Sequence, residues 1–465
     1  MSVLLLLGLA APPNMVFLMA DDLATSAVGC YGNDHVRTPH INALAAEGLT
    51  FDRHYVTTAI CMASRASVMT GRYEYRHGCN FHTGPMSEED WQASYPMVLR
   101  RAGYLVAMAG KFGFTVSDDA VGPERGRLPA DDFDRWGGGP GQTSYATRRN
   151  RSMRDYADDY PHASRAYGAF GADFVHDAAA EGRPFCLSIS FKAPHRPVQP
   201  DPMYGDWYVG ETFPKPRNFG REAGKHLPPQ SRLGRQYPRF VDWGYADRYD
   251  AVTADYFRLV AGVDAAVGMI RSAIQKAGVA ESTVVIFTSD NGYLCGSHGL
   301  ASKVLPYEES ARVPLIIFDP SSPGEGGRSD GLTASIDFLP TLLDYAGVTD
   351  EVDRDGVSLR PLIADPTTSV RDSVALIDTW NPRGARSLAV VQSNGDSVRK
   401  TIRWPGTERL SVAEESYDLV ADGDELHPVP VSKDDLDALE KVVNDWEARA
   451  VEPYRKFGED FRRRR

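Results

Sequence analysis

Five short apolar runs, widely spaced along the chain, restrict its fold more than any other feature. The runs are rich in Val, Ile, Leu and Phe, and they lie at Met15–Met19, Tyr104–Met108, Phe185–Phe191, Thr283–Thr288 and Pro314–Phe318. Apolar runs without polar alternation predict parallel strands that are buried on both faces. Between them lie helical patterns, the clearest at Ala254–Lys276, where apolar residues recur every three or four positions. The sequence therefore predicts an α/β fold in which helices sandwich a large, mostly parallel sheet.

Polar residues follow four of these runs. They are Asp21 and Asp22, then Lys111, then Lys192 and His195, and finally Asp290 and Asn291. Any one of them alone is as well explained as a solvated loop charge or a turn residue. Because ligands of open α/β sheets bind beyond the carboxyl ends of the strands, four such groups in register predict one shared site.

The two acidic pairs in this set offer oxygen ligands only. Asp21 with Asp22, and Asp290 with Asn291, suit a hard cation such as calcium or magnesium, and ligand number favours calcium. These segments hold no Cys or His set with the spacing of a transition-metal site. Taken alone, Asp-Asn-Gly is a weak signal, because Asn-Gly is also a common turn.

Cys61 stands out among five cysteines that are too sparse for a disulfide framework. The stretch from Cys61 to Arg65 has the pattern of a loop that enters a helix. A nucleophile there would lie near free backbone N–H groups, which favour an anion, and Arg65 could add a fixed cation. The alternative is that Cys61 is an inert small apolar residue, as most free cysteines are.

A change of pattern near residue 366 predicts two structural parts. Residues 1–365 form the predicted catalytic domain, and residues 366–465 form a smaller C-terminal α+β subdomain. There, short alternating runs at Val374–Ile377 and Ser387–Val391, with Asn394-Gly395 as a turn, precede a helix at Lys433–Arg449. The pattern predicts a small antiparallel sheet closed by one helix.

Bulk properties restrict partners and location. A net charge of −12 argues against a general nucleic-acid binder, although a local basic cluster can still bind an anion. The apolar N-terminus, MSVLLLLGLAAPP, is either an incomplete secretory signal or a lead into the first strand, so the expected location is periplasmic or secreted. No other stretch is long enough for a membrane span, and the oligomeric state stays open.

With these motifs in hand, the chain closely resembles the type I sulfatases of the alkaline phosphatase superfamily. Cys61-Met62-Ala63-Ser64-Arg65 matches their signature, usually written with Pro at the third position, in which a maturation enzyme converts the cysteine to formylglycine. The resemblance covers nearly the whole chain. Further matching motifs are Met19-Ala20-Asp21-Asp22, Gly29-Cys30-Tyr31-Gly32, Thr38-Pro39-His40-Ile41, Ser289-Asp290-Asn291-Gly292, Tyr307-Glu308-Glu309-Ser310-Ala311-Arg312-Val313-Pro314 and Tyr417-Asp418-Leu419.

The resemblance implies a calcium-dependent sulfatase with a role for each matching residue. Asp21, Asp22, Asp290 and Asn291 would bind one calcium ion together with the formylglycine at position 61. Arg65 and Lys111 would hold the formylglycine hydrate, while His195 and Lys303 would face the sulfate and the leaving-group oxygen. Degradation of a sulfated carbohydrate follows by analogy, within an alkaline-phosphatase-like fold.

One departure keeps other functions open. The family usually has a His that assists sulfate release two residues after the matching Lys, but Gly113 stands there, and His77 is a hypothetical replacement. A phosphonate or phosphate diester hydrolase of the same superfamily, and a sulfatase-fold binding protein without turnover, therefore remain alternatives. His298 matches a His of some branches, and we favour a structural role for it over a catalytic one.

The substrate side is predicted less sharply. Residues 196–250 are rich in Pro, Arg and Tyr and include Trp207 and Trp243, which is typical of an insertion at the mouth of a site. His82, His298 and the cluster Arg148, Arg149, Arg151 and Arg154 are further candidates for substrate contact, although a charge run is usually only a solvated face.

Overall fold

The computed structural model describes residues 12–119, 122, 125–322, 326–452 and 454–462. Most of the apolar N-terminal stretch lies outside these residues. The strands are β1 (Asn14–Asp21), β2 (Leu49–Phe51), β3 (His54–Tyr55), β4 (Leu105–Lys111), β5 (Arg135–Gly139), β6 (Phe185–Pro194), β7 (Thr283–Ser289), β8 (Leu315–Phe318), β9 (Gly327–Ser329), β10 (Thr333–Ala334), β11 (Ser373–Asp378), β12 (Ser387–Ser393), β13 (Val398–Trp404) and β14 (Ala413–Asp418). The α-helices are α1 (Pro39–Glu47), α2 (Cys61–Thr70), α3 (Glu74–His77), α4 (Glu88–Gln92), α5 (Tyr95–Arg101), α6 (Ala163–Glu181), α7 (Gly220–Ala223), α8 (Gln236–Asp242), α9 (Tyr249–Lys276), α10 (Glu308–Ala311), α11 (Phe338–Ala346), α12 (Arg360–Ala364), α13 (Lys433–Arg449) and α14 (Arg455–Gly458).

Eight strands form the main sheet in the order β5-β4-β6-β1-β7-β8-β2-β9. The strand β1 lies inside the sheet and pairs in parallel with both β6 and β7. The run at Pro314–Phe318 was expected to be parallel as well, but β8 is antiparallel to β7. That expectation is wrong because residues 290–314 contain only the single-turn helix α10 and no crossover, so the chain returns antiparallel beside β7.

Helices cover both faces of this sheet, which explains why its strands lack polar alternation. Met15, Phe17 and Met19 pack on one face against residues of α2, α5 and α11. The alternate residues Val16 and Leu18 pack on the other face against α1, α6 and α9. Both sets are buried because successive strand side chains point to opposite faces. The mostly parallel, helix-sandwiched sheet confirms the predicted fold.

A second, four-stranded antiparallel sheet has the order β11-β12-β13-β14. One of its faces packs against Tyr55 and Tyr307 of the main body, and the other packs against α13 through Val443 and Trp446. The helix α13 spans the predicted range and begins at a capping box that is formed by Ser432 and Asp435. The small sheet with its closing helix is confirmed, while the domain boundary at residue 365 stays a prediction.

The directions of the strands decide where polar residues meet. Because β4, β6, β1 and β7 are parallel neighbours, their carboxyl ends lie on one edge of the main sheet. Within the described ranges, no helix is both long enough and apolar enough to span a lipid bilayer.

Candidate active site

The two acidic pairs meet at this edge. Asp21 ends β1 and Asp22 follows it in the left-handed region, with φ of 67°, while Asp290 and Asn291 directly follow β7. The amide of Asn291 donates to Asp22 Oδ1 at 2.6 Å, and the backbone N–H of Asp22 donates to Asp290 Oδ1 at 3.3 Å. All four side chains are buried. The structure therefore brings the predicted oxygen ligands together.

Two buried lysines neutralise this cluster. Lys111 Nζ lies 2.5 Å from Asp21 Oδ2, and Lys303 pairs with Asp22 and lies 3.6 Å from Asp21 Oδ1. Burial alone would raise the pKa of Asp21, but Lys111, His195, Lys303 and Arg65 outweigh it and hold that pKa well below its usual range. These cations therefore favour the anionic form of Asp21.

Arg65 connects α2 to the sheet edge. Its Nε donates to Asp290 Oδ2 at 2.8 Å, and its Nη2 lies 2.7 Å from the same oxygen in an ion pair. Its Nη1 donates to the Lys111 carbonyl at 2.7 Å and also to Ser190 Oγ. Burial raises the pKa of Asp290 to about 6, and Arg65 opposes that rise. The contact with Ser190 on β6 was not predicted, because nothing in the sequence singles out one serine within a strand.

Cys61 is the first residue of α2, which confirms the prediction of a loop that enters a helix. Its side chain is 2 % exposed, and the N–H groups of the first helical turn have no partner within the helix. Gln142 Nε2 lies 3.9 Å from Cys61 Sγ. Lys192 Nζ donates to the backbone carbonyls of Gln142 and Thr143, each at 3.0 Å, and so fixes this loop. Gln142 comes from a loop with no motif, so the sequence offers no signal for it.

His195 directly follows β6 and lies beside the carboxylates. Its Nε2 lies 3.8 Å from Asp22 Oδ2, and its Nδ1 lies 2.5 Å from the Arg196 carbonyl. Because a carbonyl can only accept, Nδ1 carries a proton and Nε2 faces the cluster. Burial lowers the pKa of His195 to about 4, although Asp21 and Asp22 act in the opposite direction.

Gly113, which stands where the family usually has a histidine, packs closely against Arg65. Gly113 has φ of 96°, and a Cβ at this position would lie 2.3 Å from Arg65 Cδ. The position occupied by Arg65 therefore excludes a side chain at residue 113.

His77, the hypothetical replacement for that histidine, is held by its own neighbours. It lies buried in α3, where its Nε2 is 3.1 Å from Ser67 Oγ and its Nδ1 accepts the Cys79 N–H at 3.0 Å. Burial lowers its pKa to about 3. Both ring nitrogens are bonded to groups of the same segment, and the hypothesis that His77 acts as the replacement base stays a prediction.

The two histidines that were considered for substrate contact lie in different surroundings. His298 is 2 % exposed, lies 3.2 Å from the Asn218 amide through Nε2 and forms a second cluster with Glu309 and Glu425. These contacts favour the structural role, and contact of His298 with a substrate stays a prediction. His82 is exposed, and its Nε2 lies 3.0 Å from the Trp380 carbonyl.

Basic and aromatic residues of the 196–250 insertion surround the mouth of the site only in part. Trp243 lies there, with Arg196 and Arg239 over its ring. Trp207 instead contacts Arg37, and exposed Arg148 pairs with Asp158. All four arginines of the Arg148 cluster are exposed, and their contact with a substrate stays a prediction.

A cavity of about 480 Å³ lies behind the cluster, beyond Tyr256 and Tyr293. Tyr256 donates from its hydroxyl to the Asp22 carbonyl at 2.6 Å and so separates the cavity from the carboxylates. The cavity is lined by Tyr245, Tyr249 and Cys295 among others, and burial raises the pKa of the Cys295 thiol to about 12, which makes it a poor nucleophile. We therefore place the chemistry at the charged cluster.

The cluster fits a hard cation. Asp21 Oδ1 and Asn291 Oδ1 are buried and have no hydrogen-bond donor, although a buried polar atom without a partner is rare. Atoms of Asp21, Asp22 and His195 lie within 4.8 Å of one another. The atoms that could bind a metal ion here are mainly carboxylate and amide oxygens, which calcium prefers.

Comparisons with known proteins agree with this geometry. The family model described as Sulfatase matches residues 13–348, and the model described as N-sulphoglucosamine sulphohydrolase, C-terminal, matches residues 296–445. The chain is 28 % identical to an N-acetylglucosamine-6-O-sulfatase of Bacteroides thetaiotaomicron, over 76 % of this chain and 71 % of that protein. It is 30 % identical to human arylsulfatase A, over 83 % of this chain and 74 % of that protein. A solved structure of a protein in complex with its substrate D-glucosamine-2-N,6-O-disulfate has a TM-score of 0.75 at 24 % identity, and covers 96 % of this chain and 100 % of that one.

Proposed function

The chain belongs to the sulfatase family of the alkaline phosphatase superfamily and is a sulfuric ester hydrolase; from this premise we propose that it acts through a formylglycine at position 61 and one calcium ion. The observation that supports this most directly is the position of Cys61. It begins a helix beside a buried group of three carboxylates and three cations, which are Asp21, Asp22, Asp290, Arg65, Lys111 and Lys303. Asp21, Asp22, Asp290 and Asn291 would hold the calcium ion.

These groups divide between the two ends of the breaking bond. When bound, calcium would neutralise charge on the sulfate oxygens, and the formylglycine hydrate would supply the attacking oxygen. We assign Arg65 and Lys111 to the nucleophile side, because Arg65 lies one helical turn after Cys61 in α2 and donates to the Lys111 carbonyl. Their buried positive charge favours the anionic form of an oxygen there.

His195 and Lys303 would serve the leaving group in different ways. Burial would lower the pKa of Lys303, but Asp22 and its neighbours raise it well above the usual value, so Lys303 keeps its proton and acts as a fixed cation. His195 presents Nε2 to the cluster, where the negative charge of a bound sulfate would raise its pKa and favour protonation. His195 Nε2 is therefore the proton donor to the departing oxygen.

The substrate is a sulfated carbohydrate. Support comes from the sugar sulfatase among the relatives and from the solved complex with a glucosamine disulfate. The stacked Trp and Arg residues at the mouth suit a sugar with anionic groups.

The experiment combines turnover with the mass of the peptide that contains residue 61. Protein made together with a formylglycine-generating enzyme should hydrolyse 4-nitrophenyl sulfate faster than 4-nitrophenyl phosphate or a phosphonate ester, and the mass should show formylglycine. Cys61→Ala should abolish turnover, whereas the matched control Cys186→Ala, which changes another 2 % exposed cysteine, should keep it. An unmodified thiol in fully active protein would contradict the formylglycine, and a preference for phosphonate would favour the diester hydrolase.

A further inference from the structure

Three arginines surround the mouth of the active site without a carboxylate partner. Arg196 follows His195, while Arg235 and Arg239 lie at the start of α8 and within it. In the part of the chain that the structure describes, none of the three lies within ion-pair distance of an Asp or Glu. This is unusual in a protein of net charge −12, whose surface offers many acidic partners.

Aromatic rings hold these guanidinium groups instead. The Arg235 guanidinium lies 3.5 Å from the centre of the Trp380 ring, and Arg239 and Arg196 lie 4.3 and 4.7 Å from that of Trp243. A guanidinium that lies over an aromatic ring keeps its in-plane N–H groups available, so it can still bind an oxyanion with two parallel hydrogen bonds.

The three arginines adjoin the charged cluster, Arg239 on the side of Lys303 and Arg235 on the side of Cys61. Arg239 donates to Ser302 Oγ at 3.0 Å, next to Lys303, and Gln236 of the same helix donates to the Lys303 carbonyl at 2.8 Å. Trp380, below Arg235, packs in one apolar cluster with Ile60 and Cys61. The mouth of the site therefore lies next to both Lys303 and Cys61.

The electrostatic surroundings agree with this placement. Burial and the neighbouring charge of Arg239 lower the pKa of Arg235 to about 10, and Cys61 and Asp22 oppose that shift. At the reacting centre, by contrast, Arg65, Lys111 and Lys303 are already paired with Asp290, Asp21 and Asp22. The uncompensated positive charge thus lies outside the reacting centre, where it is available to a different group of the substrate.

We propose that Arg196, Arg235 and Arg239 form an anion subsite that binds a second anionic group, a sulfate or a carboxylate, on the leaving-group part of the substrate. The subsite rests on the proposed function, because it takes the sulfated sugar as the leaving group. It makes the enzyme selective for sugars that carry at least two negative groups. Trp243 and Trp380 act as supports that orient the guanidinium groups.

The test measures binding by calorimetry to calcium-loaded Cys61→Ala protein, in which the ligand is not turned over. The probes are glucosamine 6-O-sulfate, glucosamine 2-N,6-O-disulfate, and a disaccharide of glucosamine 6-O-sulfate with a uronic acid, which separates a second sulfate from a carboxylate. The Cys61→Ala protein without further substitutions, called the parent in this binding test, should bind at least one of the doubly anionic probes about tenfold or more tightly than the monosulfate. One hydrogen bond between charged groups is enough to change the affinity by about tenfold.

Substitutions then assign the preference to the arginines. Arg235→Ala and Arg239→Ala should each reduce the preference about tenfold, and Arg235→Lys should restore part of it because the charge remains without the planar fork. The matched control is Arg221→Ala, which removes another arginine of the insertion that is stacked on an aromatic ring, over Tyr237 at 3.4 Å. This control should keep the preference.

The outcomes are decisive in either direction. Equal affinity of the parent for all three probes, or an unchanged preference in both alanine variants, would overturn the subsite. Failure of the proposed function has a separate signature, which is the absence of 4-nitrophenyl sulfate turnover in matured protein with Cys61 intact.

Discussion

Replacing Arg65 with Ala tests the charge balance of the active site most directly. The change removes the hydrogen bond from Nε to Asp290 Oδ2, at 2.8 Å, and the ion-pair contact of Nη2 at 2.7 Å, and it leaves a carboxylate with no exposed surface. Breaking a buried ion pair from one side costs about 3–5 kcal/mol of folding free energy. Calcium bound next to Asp290 would replace part of the lost positive charge, so the loss should be smaller in calcium than in EDTA.

A second buried pair serves as the matched control. Arg371 is 9 % exposed and pairs with the buried Asp337, which accepts the backbone N–H groups of Ala334 and Val357. Urea unfolding of Arg371→Ala should show a similar loss of stability that does not depend on calcium. Only Arg65→Ala should lose turnover of 4-nitrophenyl sulfate, by about 100-fold or more, since a preorganised charge at the reacting centre is worth about that much.

Two results would refute this reasoning. If Arg65→Ala kept more than a tenth of the parent turnover, Arg65 would not belong to the reacting centre. If its stability loss were the same in calcium and in EDTA while that of Arg371→Ala changed, the metal would lie away from Asp290.

Three further predictions follow from the histidines and from Gly113. His195→Ala should slow hydrolysis of an alkyl or sugar sulfate at least tenfold more than that of 4-nitrophenyl sulfate, because a phenolate leaves without a proton donor; equal losses in the two rates would contradict the assigned role. His77 is neutral in the folded protein, with a pKa of about 3 against an ordinary 6.5, so the unfolded chain binds its proton first and stability falls as the pH drops from 6.5 towards 3. When the shift in pKa is converted to free energy, protonation of His77 lowers the free energy of unfolding by about 4 kcal/mol over this range. Urea unfolding of His77→Gln should therefore depend less steeply on pH. Gly113→Ala should lower both the melting temperature and turnover, because its Cβ would lie 2.3 Å from Arg65 Cδ, and overpacking of this kind costs about 1–3 kcal/mol; unchanged turnover would show that Arg65 can move without harm.

The interior of the sheet was predictable because its strands are buried on both faces. The runs at Phe185–Phe191 and Thr283–Thr288 lie within β6 and β7, which extend slightly further at their carboxyl ends. The strand β5 was missed, because its sequence, RWGGG, lies at a sheet edge and has few apolar side chains. The direction of β8 was also missed, since direction depends on the length and path of the connection and not on the strand itself.

The same distinction applies to the active site. Residues at strand ends could be placed together from sequence, because parallel neighbours bring their ends to one edge, as Asp21 and Asp290 show. Gln142, Arg235 and Trp380 come from connections far apart in the sequence, and only tertiary packing brings them to the mouth. The distances of these residues from Cys61 are set by interactions that have no local pattern.

The burial of Cys61 sets an order of events during synthesis. A cysteine that is 2 % exposed at the start of a packed helix is out of reach of a second enzyme once the domain has closed. The sheet edge beside it closes only after β7 has paired with β1, and β7 is made more than 200 residues later. If Cys61 is converted to formylglycine as proposed, that conversion and closure of the sheet are in kinetic competition. Protein that folds before the maturation enzyme has acted would keep its thiol for the life of the molecule, so the active fraction of a preparation would record which of the two processes was faster.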